Sequence, residues 1–509
     1  MKTENNKLGF VVAGLLLAIL MSSMDNTIVA TAMGTIVSDL GGLDKFIWVT
    51  SAYMVAEMAG MPIFGKLSDM FGRKRFFIFG IVLFLIGSIL CGTAQSIEQL
   101  SVYRAIQGIG GGALIPITFT ILFDIFPPEK RGKMTGLFGA VFGLSSIFGP
   151  LLGAYITDYI SWHWIFYINL PLGLLSFFLI FKYYQESLEH SKQKIDWFGA
   201  FTLVGSVICL MFALELGGNE YDWDSINIIS LFVGFVILFI TFLFVETKAS
   251  DPVISFTMFK NRLFASSTLV GLFYGIAFIV ASIYIPLYVQ GVTGGTATNS
   301  GLILLPMMLG VVVSSQLGAI LASRIGYRNV MMAFAVIFIV GIYLLGTLTV
   351  DTPKLTLTLY MIIVGLGTGA SFSVLSMAAI HHMDARQRGS ANSTISFVRQ
   401  LGMTIGITVY GIIQRNIFSD HMNKSFEGSG QTFEGSASSD PRSLLSPEAR
   451  KAIPEPILEK ITDALSSSIA QTFMWALIPA ALVIVFVFML TNDRLAMSTP
   501  ATKQEPQTE

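Results

Sequence analysis

Gly65-Lys66-Leu67-Ser68-Asp69-Met70-Phe71-Gly72-Arg73-Lys74-Arg75 is a short polar run between two long apolar ones, residues 46–64 and 76–94. Each apolar run approaches the length of about 20 residues that an α-helix needs to cross a bilayer core. The stretch between them is therefore expected to be a tight loop at a membrane surface, and its charges indicate which surface. Lys66, Arg73, Lys74 and Arg75 outnumber the single acid Asp69, and short loops rich in Lys and Arg stay in the cytoplasm. A topology anchor accounts for the basic residues but not for Gly65, Asp69 and Gly72. Glycines at fixed spacing around a carboxylate suggest backbones that pass closely and an acid held against a partner.

Composition agrees with a chain that lives in a bilayer. Of 509 residues 53% are hydrophobic and 12% charged, with a mean hydropathy of +0.70, which a soluble domain does not reach. A net charge of −1 gives no sign of a nucleic-acid partner. Cys91 and Cys209 fall in separate apolar segments and read as small buried hydrophobes rather than a disulfide framework. The first apolar run, residues 8–32, is too long for a signal-peptide core and reads as the first spanning helix. A Gly-x-x-x-x-Gly-Lys-Ser/Thr phosphate loop does not occur, so ATP-driven transport is not expected. No cofactor and no metal are expected either. His381-His382 adjoin a basic loop, and adjacent residues of a helix do not share a face.

Outward from the opening run, apolar segments bounded by charge, Gly or Pro give fourteen candidate helices and an all-α integral membrane protein. They lie near 9–32, 46–64, 76–94, 98–123, 134–157, 163–184, 196–216, 226–245, 263–290, 299–322, 330–349, 354–380, 391–414 and 467–490. An even number puts both termini on one side. The terminal Lys2, Lys7 and Arg494 share that side with Lys130-Arg131, Lys260, Arg324 and Arg386, whereas the short loops opposite hold only Lys45 and Lys354. Both termini are therefore expected in the cytoplasm of a cell-membrane protein. Residues 416–466 then form one long extracellular loop, Ser/Gly-rich at its start, and 491–509 form a cytoplasmic tail.

The chain also repeats itself. Tyr103, Gly108, Gly110, Gly112 and Ala113 line up with Tyr360, Gly365, Gly367, Gly369 and Ala370 at one constant offset, and the same offset pairs Arg131-Gly132 with Arg388-Gly389. Residues 318–328 echo the opening run without its acid. Two six-helix halves, 9–184 and 263–490, then flank two extra central helices over 196–245, related by an axis along the membrane normal.

At this point the chain resembles a known family, the fourteen-helix drug:proton antiporter branch of the major facilitator superfamily. Gly65, Leu67, Asp69, Gly72, Arg73 and Lys74 match its loop 2–3 signature, residues 103–116 resemble its helix 4 signature with a buried Arg, and Met24–Val29 resembles its helix 1 element. Gly139, Gly143, Gly149, Pro150 and Gly153 resemble the helix 5 antiporter signature, although Ala154 replaces its second terminal Gly and Gly34 stands where a Pro is expected. The resemblance implies the major facilitator fold, no enzymatic activity, and export of amphipathic, often cationic drugs in exchange for protons, with membrane lipids as surroundings and antibiotic resistance as a consequence. Two rival readings stay open: the same fold exporting a lipid, amino acid or peptide, and a sensor or assembly protein on a transporter scaffold.

Ionisable residues inside spanning helices are costly and mark function by default. Those within the apolar runs include Asp25, Glu57, Arg104, Glu215 and Arg399. Helix 1 enters from the cytoplasm and helix 4 from outside, so a rise of about 1.5 Å per residue sets Asp25 and Arg104 at similar depth. Asp25 is accordingly read as the proton-binding carboxylate, with Arg104 tuning it; a static buried pair is the plainer alternative. Glu57 either takes a second proton or faces a cationic drug beside aromatic rings, or is a capped structural acid. In helix 5 the paired glycines and Pro150 predict close packing and a bend at an interface between the halves. Asp69, with Arg73 and Arg131 as candidate partners, is expected to dock on the opposite half and act as a conformational latch.

Overall fold

The computed structural model describes residues 2–41, 47–186, 195–218, 220–295, 297–426 and 454–494. Fourteen long helices run through the described residues. The first half contributes α1 (Lys2–Leu40), α2 (Ile47–Phe71), α3 (Arg73–Cys91), α4 (Ile97–Ile125), α5 (Pro128–Tyr159) and α6 (Trp164–Tyr183, interrupted at Ile168). The central pair is α7 (Trp197–Leu216) and α8 (Ile226–Lys248). The remainder are α9 (Arg262–Gly291), α10 (Ala297–Ile325), α11 (Tyr327–Leu345), α12 (Lys354–Ile380), α13 (Arg388–Phe426) and α14 (Glu455–Met489). Among the described residues 13 helices are long and apolar enough to cross a membrane. The exception is α2, which carries Glu57, Lys66 and Asp69.

Helix starts follow local chemistry. Ser96 Oγ accepts from Gln99 N at the start of α4, Asp196 accepts from Gly199 N at α7, and Ser225 from Ile228 N at α8. Each satisfies one of the donors that a helix N-terminus leaves free. The carboxylate of Glu246 near the end of α8 accepts from Val253 N and Ile254 N, which folds the connection to α9 back onto the helix.

Packing inside the first group of six recurs in the last six. The extensive pairs α2/α4, α3/α4, α1/α5 and α1/α6 have counterparts in α10/α12, α11/α12, α9/α13 and α9/α14. Across the middle, α5 lies along α10 and α2 along α13. The central pair leans on α2 and α13 through α7, with Leu203, Val207 and Met211 packed among Val55, Met58, Met61 and Phe397. Helix α8 is outermost and shows Val233, Val236, Ile237, Ile240 and Phe244 to the surroundings, as a lipid-facing helix does.

Two expectations change. The opening run is not a loop: α2 continues to Phe71 and α3 begins at Arg73. Only Gly72 lies between them, at φ 102°, a backbone conformation that other residues adopt with strain. The counterpart is Gly326, at φ 87° before α11. The long loop also shortens, because α13 runs to Phe426 and α14 starts at Glu455. Helices that leave a membrane need no apolar residues to continue, so composition alone overstates the loop. Residues 427–453 of that loop and the tail 495–509 lie outside the described residues.

Candidate functional site

Asp25, Arg104, Gln107 and Asn169 are each 0% exposed and meet between α1, α4 and α6. Arg104 and Asp25 form an ion pair through Nη1 and Oδ2. The other carboxylate oxygen, Oδ1, accepts from Gln107 Nε2 at 2.8 Å and from Asn169 Nδ2 at 2.8 Å. Arg104 also donates to Gln107 Oε1 (2.7 Å) and, through Nε, to the Val49 carbonyl (3.3 Å), and its guanidinium lies 4.2 Å from the centroid of the Tyr53 ring. Ser88 on α3 joins the network, accepting from Asn169 and Gln107 and donating to the Phe166 carbonyl. A charge buried this deeply is tolerable only when paired and hydrogen-bonded, and here four helices supply the partners.

Glu57 borders this cluster one turn beyond Tyr53 on α2. It is 4% exposed and within electrostatic reach of both Arg104 and Asp25. At Gly111 on the facing helix α4, a Cβ would stand 2.6 Å from Tyr53 Oη and 3.7 Å from Glu57 Oε1.

The second constellation closes one end of the bundle, the end that carries Lys2. Asp69, near the end of α2, accepts from Gly389 N (2.9 Å) and Ser390 N (2.7 Å) at the start of α13. It therefore caps a helix of the other half and meets the positive end of that helix dipole. The backbones come close because both sides are glycine: a Cβ on Gly65 would overlap Ser393, and one on Gly389 would stand 2.8 Å from the Gly65 carbonyl. Arg73, fully buried, donates to Asp69 Oδ1 (3.4 Å) and to the Ala385 carbonyl (2.7 Å) and pairs with Asp124 at the end of α4. Arg388 reaches the same Asp124 at 3.3 Å. Arg131 donates to the carbonyls of Phe123 and Phe126. Beside this contact a cavity of about 490 Å³ is lined by Lys66, Asp251, Asp384, Arg386 and Ser390 among others.

Helix α5 divides its glycines between two neighbours. Gly139 and Gly143 face Ser315 and Met308 of α10, across the boundary between halves. Gly149 and Gly153 instead face Thr27 and Thr31 of α1, in their own half, where a Cβ would overlap each threonine hydroxyl. Of these four glycines, Gly139 and Gly143 thus lie against the other half and Gly149 and Gly153 against their own. Pro150 lies inside α5, which continues through it. Nearby Thr27 Oγ1 donates to the Ser145 carbonyl at 3.2 Å.

Arg399 on α13 donates to the Ser371 carbonyl (3.3 Å) and lies over the Phe372 ring. His381 contacts Tyr327 Oη and His382 contacts Asp493; burial lowers the His381 pKa and favours its neutral form. Among the described residues no group of three or more His, Cys, Asp or Glu could hold a metal ion.

Reading the charges within the apolar runs misses the uncharged Gln107, Asn169 and Ser88, and also Asp124, which lies just past the run 98–123. Gln107 was within reach, three residues from Arg104 and so on the same helix face. The others depend on contacts between helices distant in sequence.

A model of the Major Facilitator Superfamily matches residues 15–199 and 189–407. The chain is 56% identical over 498 residues to Multidrug resistance protein 3 of Bacillus subtilis (strain 168), covering 97% of each. It is 34% identical to the Multidrug transporter protein MdtP of the same organism, over 99% of this chain and 97% of that one. Two solved structures share the fold. The proton:xylose symporter XylE superposes with a TM-score of 0.59 at 13% identity, over 94% of this chain and 96% of that one. The human organic anion transporter MFSD10 gives 0.58 at 14%, over 93% and 99%.

Proposed function

The chain belongs to the Major Facilitator Superfamily and is a multi-pass membrane transporter, not an enzyme; from that premise we propose that it exports amphipathic, often cationic drugs from the cell in exchange for protons. Similarity to a multidrug resistance protein along nearly the whole of both chains supports the substrate class. The observation that carries the exchange reading is the membrane-buried cluster of Asp25, Arg104 and Glu57. Buried ion pairs are poor devices for stability, and a carboxylate whose charge depends on a proton links proton movement to helix packing.

In this reading the protein lies in the plasma membrane with both termini in the cytoplasm, as its basic loops favour. The end closed by Asp69 on α13 is then the cytoplasmic one, and the cargo path opens outward. The two halves exchange this contact for another when they rock to the inward-facing state. Proton binding at the Asp25–Arg104–Glu57 cluster biases that equilibrium, and Gly139 and Gly143 are sliding points between α5 and α10.

The test uses cells stripped of their own efflux pumps. Expression should produce ethidium and tetraphenylphosphonium export that a protonophore abolishes. Absence of any export would remove the drug reading, and export that persists after the proton gradient has collapsed would remove the antiport reading.

A further inference from the structure

We propose that the exchangeable proton of the buried cluster sits on Glu57, that Asp25 serves as the ion-pair partner of Arg104, and that an organic cation arriving at the cluster displaces the Glu57 proton. This rests on the antiport reading above and assigns the residue that carries the proton.

The two acids differ in their hydrogen-bond partners. Asp25 takes a charged donor from Arg104 and two amide donors from Gln107 and Asn169. All three are N–H donors, which the oxygens of a carboxylate accept. Glu57 has the opposite surroundings. It is almost fully buried yet has no hydrogen bond among the described residues. Arg104 does not make up the deficit, since its guanidinium donates to Asp25, Gln107 and Val49 and is covered on one face by the Tyr53 ring.

Charge counting leads to the same residue. One guanidinium and two ionised carboxylates would leave one uncompensated negative charge in a low-dielectric interior, which is strongly unfavourable. A single bound proton restores neutrality, and Glu57 is the carboxylate of the two that receives no donor among the described residues. Other charges that could reach Glu57 are engaged elsewhere or absent from the contacting surfaces. The central helix α7 meets α2 through Leu203, Val207 and Met211, Arg399 of α13 turns to Ser371 and Phe372, and Tyr53 Oη is 3.5 Å from Ser22.

The exchange then balances. The O–H bond of the Glu57 carboxyl breaks, its proton leaves to water, and the positive charge of the arriving cation takes over its role, so the net charge of the cluster is unchanged.

Infrared spectra of the purified full-length transporter at neutral pH test the assignment through the C=O stretch of protonated carboxyl groups. The band present in the wild type should move in Glu57→Asp and stay in place in Asp25→Glu, both of which conserve the charge of the cluster, and should disappear in Glu57→Gln. Adding tetraphenylphosphonium in weak buffer should release protons from the wild type and from Glu57→Asp but not from Glu57→Gln. A band that moves in Asp25→Glu and not in Glu57→Asp would overturn the proposal, as would a band that survives Glu57→Gln. Export that ignores a protonophore would instead overturn the antiport reading, and it leaves the infrared assignment to stand or fall by itself.

Discussion

Arg104→Ala should destabilise the protein by about 3–5 kcal/mol, the range seen when one partner of a buried ion pair is removed, and should abolish drug export. The loss comes mostly from what is left behind. Without Arg104, Asp25 keeps the amide donors of Gln107 and Asn169 but no positive charge, and Gln107 Oε1 and the Val49 carbonyl lose a donor. Adding Asp25→Asn should therefore recover much of the stability while export stays absent, because a neutral amide at position 25 no longer requires a cation. Thermal unfolding of the purified variants in detergent checks this: the double variant should melt well above Arg104→Ala alone. If Arg104→Ala melts with the wild type, or if the second change brings no recovery, the two residues are not an energetic unit. Arg104→Lys should also fail, since one ammonium cannot reach Asp25, Gln107 and Val49 from the positions that a planar fork occupies.

That pair was legible in the sequence for a geometric reason. Once loop charges fix the direction of each helix, counting residues places Asp25 and Arg104 at one depth, and two costly charges at one depth in neighbouring helices have reason to meet. Asn169 gave no such signal, because an uncharged amide raises less alarm in an apolar run and its two partners, Asp25 and Ser88, lie on other helices. The limits of helices were harder to read than their number. Polar residues 65–71 look like loop by composition, yet they stay helical because the second half receives them: α13 offers the N–H groups that Asp69 needs. The spacing of glycines in α5 announced close packing but could not name the neighbour, which is α10 at Gly139 and Gly143 and α1 at Gly149 and Gly153. Asp124 was missed for the same reason. Its significance is that Arg73 and Arg388, from different halves, both pair with it, and nothing near it in the chain predicts that.

The contact between α2 and α13 leads to the second large effect. Asp69→Asn should shift the transporter strongly toward the state open at the end that carries Lys2, while drug binding is retained. Asp69 holds two backbone donors of α13 on its two oxygens, and a hydrogen bond to a charged group contributes about 1.5–3 kcal/mol. An amide keeps one oxygen and turns an N–H toward a helix terminus that already presents N–H groups, so one bond is lost and the charge–dipole attraction disappears. A change of about 1.4 kcal/mol alters a two-state ratio tenfold, so populations should move by one to two orders of magnitude. Gly65→Leu should do the same by a different route, because its side chain would need the space of Ser393. Spin labels at Lys130 and Arg324, exposed positions near that end on α5 and α10, report the separation of the halves. Both variants should lengthen the distance at the expense of the short population. An unchanged distribution in both would mean that the remaining contacts at this end, among them Arg388 with Asp124 and α5 against α10, hold it shut. A shift in Gly65→Leu without one in Asp69→Asn would assign the closure to backbone proximity rather than to the carboxylate.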